Sequence, residues 1–308
     1  MYQIGLELEV KLKDGVSLDD VIRVIRQNGI SLRDERHTHV GTIEYGTRGW
    51  KVVYDGTHSH DGRDIYEFVS NPIVGAPNIE DMVNELVPIL QKYCDVDRDC
   101  GFHIHFDILG KYHFRRRVDT STPDGKYRAI RNKPCRKFIG ELMRNMHYFQ
   151  PVFDAVVAPS RRANNFCKPI PNVANLGNKN EIEEFAHNKN GWFQEDPTQI
   201  LPNTDRYGNN RRYHCINLEC LKSYGTVEYR QHQGTLNISK ILNWMRLTER
   251  FTTRAWDRKK AKLDCENFNI NIDGLMDFLG FGRCDRSVRE YYRKRARAFG
   301  YPAIAFNI

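Results

Sequence analysis

The sequence predicts an α+β protein whose largely antiparallel sheet carries one polar, concave, functional face, and three observations lead there. Four separated stretches, residues 2–11, 65–70, 101–107 and 225–234, alternate residue by residue, with charged or imidazole side chains opposite apolar ones. Between them lie segments whose apolar residues recur at helical spacing. Strands and helices follow one another without a regular β-α-β rhythm, which favours antiparallel pairing over a doubly wound parallel sheet. At 308 residues the chain can bury a large core. It has no Pro/Ser/Gly-rich spacer and no fixed-period repeat, so residues 1–308 are expected to form a single domain.

The first strand places Gly5, Glu7 and Glu9 on one side and Leu6, Leu8 and Val10 on the other. Ser17 and Asp20 form a capping box for an amphipathic helix through Leu18, Val21, Ile22 and Ile25 that stops at Gly29. A hairpin is expected from strands 39–45 and 50–54, with Asp55-Gly56 as the next turn. The strand over 65–70 carries Glu67 and ends at Asn71-Pro72. A helix from Asn78, with Pro88 as an expected kink, leads to Gly101-Phe102-His103-Ile104-His105-Phe106-Asp107. There Phe102, Ile104 and Phe106 face the core, while His103, His105 and Asp107 face away. Residues 138–149 mark a helix ending near Pro151. Residues 159–210, rich in Asn, Pro and Gly, read as long loops with a short helix at 181–186, a pattern suited to a lid. A strand over 213–221 is expected to pair with the opening strand. Thr226, Glu228, Arg230 and His232 then share one face of the last strand, opposite Val227 and Tyr229. Helices over 238–256, 272–279 and 287–297 close the chain, the last two within a helical extension at 257–308.

If those four strands are neighbours, Glu7, Glu9, Glu67, His103, His105, Glu228 and Arg230 merge into one patch. A carboxylate, a guanidinium and an imidazole in one row are costly to bury unless each finds a partner. Oxygen ligands with one or two histidines suit Mg²⁺ or Mn²⁺ better than zinc, and repulsion among four carboxylates calls for more than one cation. Taken singly the motifs are weaker. Glu7-x-Glu9 could be an ordinary exposed strand edge, Glu67 is flanked on its own face by Ile65 and Val69, and His37, His39, His58 and His60 sit in turn-like polar surroundings that read as surface. No G-x-x-x-x-G-K-[ST], G-x-G-x-x-G or G-x-S-x-G occurs, so a glycine-loop nucleotide site and a serine nucleophile elbow are not supported.

The longest apolar runs fall far short of the roughly 20 residues that cross a bilayer. The chain opens directly on a charged strand, which argues for the cytoplasm. Eight cysteines, none in a C-x-x-C, suggest free thiols in a reducing compartment. Lys and Arg number 47 against 39 Asp and Glu, a net charge of +8. The excess gathers in a basic insertion at 111–137, including Arg115-Arg116-Arg117, and again at 283–297. Such runs fit an anionic partner, nucleotide phosphate or nucleic acid, although a solvated basic surface is the commoner outcome.

Gly5-x-Glu7-x-Glu9, Trp50 leading to Asp55-Gly56, Glu67-Phe68-Val69-Ser70-Asn71-Pro72, Cys100-Gly101-Phe102-His103-Ile104-His105, and Arg212-Tyr213 through Asn217 to Gly225-Thr226-Val227-Glu228-Tyr229-Arg230-x-His232-x-Gly234-Thr235 together resemble the amidoligase family. That family is similar to glutamine synthetase and glutamate–cysteine ligase, and the likeness spans roughly residues 4–245 in order. It implies a curved antiparallel sheet backed by helices, with ATP and divalent metals on the concave side. By the same resemblance Glu7, Glu9, Glu67, His103 and Glu228 would hold Mg²⁺ or Mn²⁺. Arg212 and Arg230 would contact phosphates or an acyl phosphate, with Glu228 beside them, Asn217 and His105 would line the cofactor site, and Asp55 would line the site without a further role. The implied reaction is activation of a carboxylate by ATP through an acyl phosphate, followed by attack of an amine. The acid and the amine could each be a small molecule or a macromolecule. A kinase of the same fold acting on a guanidino or carboxylate acceptor is the nearest alternative. A non-catalytic nucleic-acid-binding protein is a second, and a two-metal phosphohydrolase fits the long loops and many arginines less well.

Overall fold

The computed structural model describes residues 3–37, 46–110, 120–162, 164–172, 178–187, 196–203, 211–256, 264–282 and 285–305. The opening strand β1 (Gln3–Leu12) lies at the centre of one open sheet. Beyond it come β2 (Leu32–Asp34), β3 (Trp50–His58), β4 (Asp64–Ser70), the short β5 (Ile73–Val74) and β6 (Cys94–Asp95), β7 (Gly101–Asp107), β8 (Ile216–Asn217) and β9 (Thr226–Gln233). The spatial order is β2-β3-β4-β1-β7-β9-β8, with β5 and β6 pairing along the two ends of β1. Every pairing is antiparallel except β2 with β3. The four alternating stretches of the sequence are therefore four consecutive neighbours, β4-β1-β7-β9.

Because side chains alternate along a strand, one face of this sheet is apolar throughout. Ile4, Leu6, Leu8, Val10, Phe102, Ile104, Phe106, Val227 and Tyr229 are all at most 1% exposed. Helices α1 (Leu18–Gln27), α2 (Ala76–Tyr93), α4 (Lys133–Val156) and α7 (Ile238–Trp256) contribute inward residues to the same core, which runs from Ile4 to Ala305. Full burial of each such side chain contributes about 1.5–3 kcal/mol. Aromatic contacts fix the layer spacing. Phe106 meets Tyr229 edge-on at 5.7 Å, and the Tyr229 hydroxyl reaches Thr252 Oγ1 of α7 at 2.8 Å. The remaining helices are α3 (Pro123–Arg131), α5 (Lys179–His187), α6 (Cys220–Ser223), α8 (Ile272–Phe278), α9 (Arg286–Ala298) and α10 (Pro302–Ala305). Among the described residues no helix is long and apolar enough to cross a membrane.

Several local expectations hold. Ser17 Oγ accepts from the Asp20 amide at the start of α1, and the seven described cysteines are free and buried. Others are corrected. Helix α4 runs through Pro151 to Val156, because Val152, Phe153 and Val156 continue its buried stripe and reward an extra turn beyond the proline. Strand β3 carries on through Asp55-Gly56 to His58, with a register shift after Tyr54 where a turn is expected. Residues 213–221 are not one strand beside β1. Only Ile216–Asn217 is extended and it pairs with β9, after which the chain turns into α6. Much of the loop-rich stretch is packed: Cys167, Ile170, Ile182 and Phe185 are buried, and α5 lies against α4. The expected strand over 39–45 and the arginines 115–117 lie outside the described residues.

Candidate active site

The register of the four central strands decides which polar side chains meet. Glu9 pairs with Glu67 across β1 and β4, Glu7 with His103 across β1 and β7, and His105 with Glu228 across β7 and β9. With a side-chain period of two, all six point to the face opposite the apolar core. That face borders a cavity of about 750 Å³, lined by Glu7, Glu9, Glu67, His103, His105 and Glu228 on the floor and by Arg212 and Arg230 among its cations. Asp55 also lines it. Every site residue expected from the sequence, Asn217 included, thus reaches one space.

Contacts on the floor are dense. His103 Nδ1 lies 3.1 Å from Glu7 Oε2 and 3.4 Å from Glu228 Oε1, while its Nε2 is 3.5 Å from Glu9 Oε1. His105 Nδ1 meets the Thr226 hydroxyl at 3.0 Å, which turns Nε2 toward Glu7 Oε1, also 3.0 Å away. That second contact is not aligned as a hydrogen bond, and His105 Nε2 remains buried without a bonding partner. Glu7, His105 and Glu228 each offer one atom within 4.8 Å of the others. Glu228 is held from both sides: Oε1 accepts from Arg230 Nη1, and Oε2 accepts from Asn217 Nδ2 at 2.7 Å and from the Cys220 thiol at 3.3 Å. The Asn217 side-chain amide is thereby engaged by the carboxylate itself.

Crowding splits the proton affinities of these acids. Burial would raise Glu7, but His105 and His103 outweigh it and hold the carboxyl well below its ordinary range. For Glu228 burial is again opposed, by Arg230 and then the two histidines, and the group is lowered to about 2. Glu67 has no such partner close enough to prevail. Burial, followed by the charges of Glu7, Glu9 and Asp55, pushes it well above the ordinary value. His105 is raised, since Glu7 and Glu228 overcome the cost of burying its cation. A buried, crowded carboxylate such as Glu67, beside an imidazole nitrogen that meets Glu7 without an aligned hydrogen bond, leaves donor atoms free to take a cation. The oxygen-rich donor set with one or two imidazoles fits Mg²⁺ or Mn²⁺.

Gly101 makes this convergence possible. It occupies the position opposite Glu9 on β7, and its amide donates to Glu9 Oε2 at 2.5 Å. A Cβ there would stand 2.7 Å from His103 Nε2 and 3.1 Å from Glu9 Oε1, too close for either to stay. Thr226 and Cys220 are further functional neighbours that alternation alone did not single out. Thr226 was visible as a member of the right strand face, whereas nothing local to Cys220 points at Glu228.

His232 is a correction. It was expected on the charged face with Arg230, but β9 is bulged: Ile104 pairs with Tyr229 while Phe102 pairs with His232, so two residues of β9 lie opposite one of β7. The extra residue turns His232 to the helix-backed face, edge-on to Phe102 at 5.6 Å and 5.0 Å from the Trp244 ring. Burial, with Arg295 adding to it, depresses its imidazole to about 3. His60 also departs from a purely free surface residue, with Nδ1 2.5 Å from Asp99 Oδ2. Asp99, Asp97 and Asp61 surround the fully buried ammonium of Lys11, the next side chain in the Glu7–Glu9 row, so that acidic cluster already holds its cation.

No curated protein matches the chain. Residues 131–252 match the family described as "putative amidoligase enzyme". The matched segment runs from the end of α3 to α7 and contains Arg212, Asn217, Glu228 and Arg230, while Glu7, Glu9, Glu67, His103 and His105 reach the same cavity from outside it. Over that segment the chain is similar to the putative amidoligases.

Proposed function

We propose that the cavity joins a carboxylate to an amine at the expense of ATP. The observation that carries this reading is the merging of carboxylates and imidazoles from four adjacent strands into one floor that faces Arg212 and Arg230 across a single cavity. The family match supports a ligase, and the acyl-phosphate route is our extension of it. Glu7, His105 and Glu228, with Glu9, Glu67 and His103 around them, would hold Mg²⁺ or Mn²⁺. Such ions, when bound, neutralise phosphate charge and stabilise the transferring phosphoryl group.

The chain's own residues supply the rest. A substrate carboxylate oxygen would attack the γ-phosphorus of ATP and ADP would leave. The amine would then form its bond to the acyl carbon as the carbon–oxygen bond breaks and inorganic phosphate departs with the electron pair. Arg230, held in line by Glu228, and Arg212, stacked 5.1 Å over the Tyr213 ring, are placed to stabilise anionic oxygens. The attacking ammonium must lose a proton, which a carboxylate of the cavity would take.

The test is release of ADP and phosphate from Mg²⁺-ATP in the presence of a panel of amino acids and amines. Amine-dependent release is expected, falling about 10²–10³-fold in Glu228→Gln. Full turnover in that variant would sink the proposal. Phosphorus NMR of the products separates a ligase, which frees phosphate, from a kinase, which leaves it on the acceptor.

A further inference from the structure

The proposed reaction uses two arginines, yet other guanidiniums border the cavity, and one of them, Arg161, is buried there. Arg161 ends a 3-10 turn, Pro159–Arg161, that lies against β9, and it is only 3% exposed. Its Nη2 donates to the backbone oxygen of Arg230 at 2.7 Å, and its Nε is buried with no hydrogen-bond partner. Among the described residues no carboxylate oxygen lies within ion-pairing distance of it, whereas Arg230 on the neighbouring strand has Glu228. A guanidinium cannot shed its charge by deprotonating, and burying an unpaired charge is among the costliest arrangements a fold can adopt.

Position says what relieves that cost. Arg161 Nη2 would stand 3.3 Å from a Cβ at Gly101, the residue whose bareness also admits Glu9 and His103. The guanidinium therefore hangs over the Glu9 end of the floor, at the opposite end of the His103 contacts from Glu228. Ser160 and Asn164 on the same segment line the cavity and add short polar side chains beside it.

We infer that Arg161 is an anion-binding residue of this cavity, and that it takes an oxyanion, phosphate or carboxylate, with the guanidinium charge that no carboxylate of the described residues pairs. The inference deepens the ligase reading and rests on it for the source of the oxyanion, either a phosphate of the nucleotide or a carboxylate of the acid substrate. It does not need turnover to be tested. The anion would meet an Nη–H donor on the side of the guanidinium that borders the cavity.

The experiment measures binding to the full chain by calorimetry, with the non-hydrolysable analogue AMPPNP plus Mg²⁺ as one probe and glutarate as the other. Wild type is compared with Arg161→Lys and Arg161→Gln, and thermal melting of each unliganded protein is recorded. The inference expects Arg161→Gln to lose roughly tenfold or more in affinity for one of the two probes, Arg161→Lys to recover part of that loss, and the unliganded variants to melt no lower than wild type, since an unpaired buried charge has been relieved. Loss confined to AMPPNP identifies the phosphate source, and loss confined to glutarate the carboxylate. Unchanged affinity for both probes together with a lower melting temperature would mean that Arg161 only caps the Arg230 carbonyl, and would overturn the assignment. Absence of binding by wild type to either probe would overturn it as well. Amine-dependent ADP release, scored separately, tells whether the ligase reading survives that outcome.

Discussion

The two faces of the central sheet are made from alternate residues of the same strands, one position apart, and they obey opposite rules. On the helix-backed face Leu6, Leu8, Phe102, Ile104 and Val227 are buried against apolar neighbours and every contact favours the folded state. On the other face Glu7, Glu9, Glu67 and Glu228 crowd together around two histidines, and burial together with the charges of Glu7, Glu9 and Asp55 raises the proton affinity of Glu67. The first face explains why the sheet exists. The second is tolerated by that stability, and crowding of this kind is common at functional sites.

The comparison breaks most visibly if neighbours on β1 and β4 are altered one face at a time. Leu8→Ala opens a void in the core and should cost about 2–5 kcal/mol of stability, read from denaturant unfolding. Glu67→Gln, on the opposite face, removes a carboxyl whose charged form burial and its neighbours disfavour, and should leave the metal-free protein as stable as before or more so. If Glu67→Gln destabilises the metal-free protein as Leu8→Ala does, the two faces are not distinct in kind and the crowded acids are a structural network.

A smaller effect sharpens the boundary between the faces at the bulge of β9. His232, displaced to the apolar side, has a folded-state pKa of about 3, below the ordinary value for histidine. The unfolded chain therefore takes up a proton near pH 6.5 that the folded chain refuses, so this group's contribution is fully present above pH 6.5 and is lost progressively as pH falls toward 3. Over that window it contributes a slope of about 1.4 kcal/mol per pH unit. Replacing it in His232→Gln should flatten the pH dependence of stability between pH 6.5 and 5 by that amount. Identical slopes in the two proteins would place His232 back on the wet face.

Much of the site was legible because strand alternation is a local property. Once Glu7 and Glu9 alternate with Leu6 and Leu8, and His103 and His105 with Phe102 and Ile104, the face each occupies follows from backbone geometry. What alternation could not supply was anything set by pairing or by chain reversal. The bulge that turns His232 inward exists only in the register between β7 and β9. The two-residue extent of β8, and the turn that brings Cys220 and Asn217 onto Glu228, depend on contacts between segments eight or more residues apart. Arg161 lies in a stretch rich in Asn and Pro with no period to read. The basic run at 283–297 looked like a surface for an anionic partner, yet Arg289 and Arg293 meet Asp273 and Arg297 meets Glu290. Pairing of this kind is invisible to a charge count.

The most direct test of the account is a titration of the metal-free protein with Mn²⁺, followed by the loss of the free-ion electron paramagnetic resonance signal. Saturable binding is predicted for wild type, weakened by at least about tenfold in Glu7→Gln and in Glu228→Gln, with both variants still folded. Mn²⁺ binding of equal strength in all three proteins, or none in wild type, would contradict the claim that these strands meet in order to hold cations.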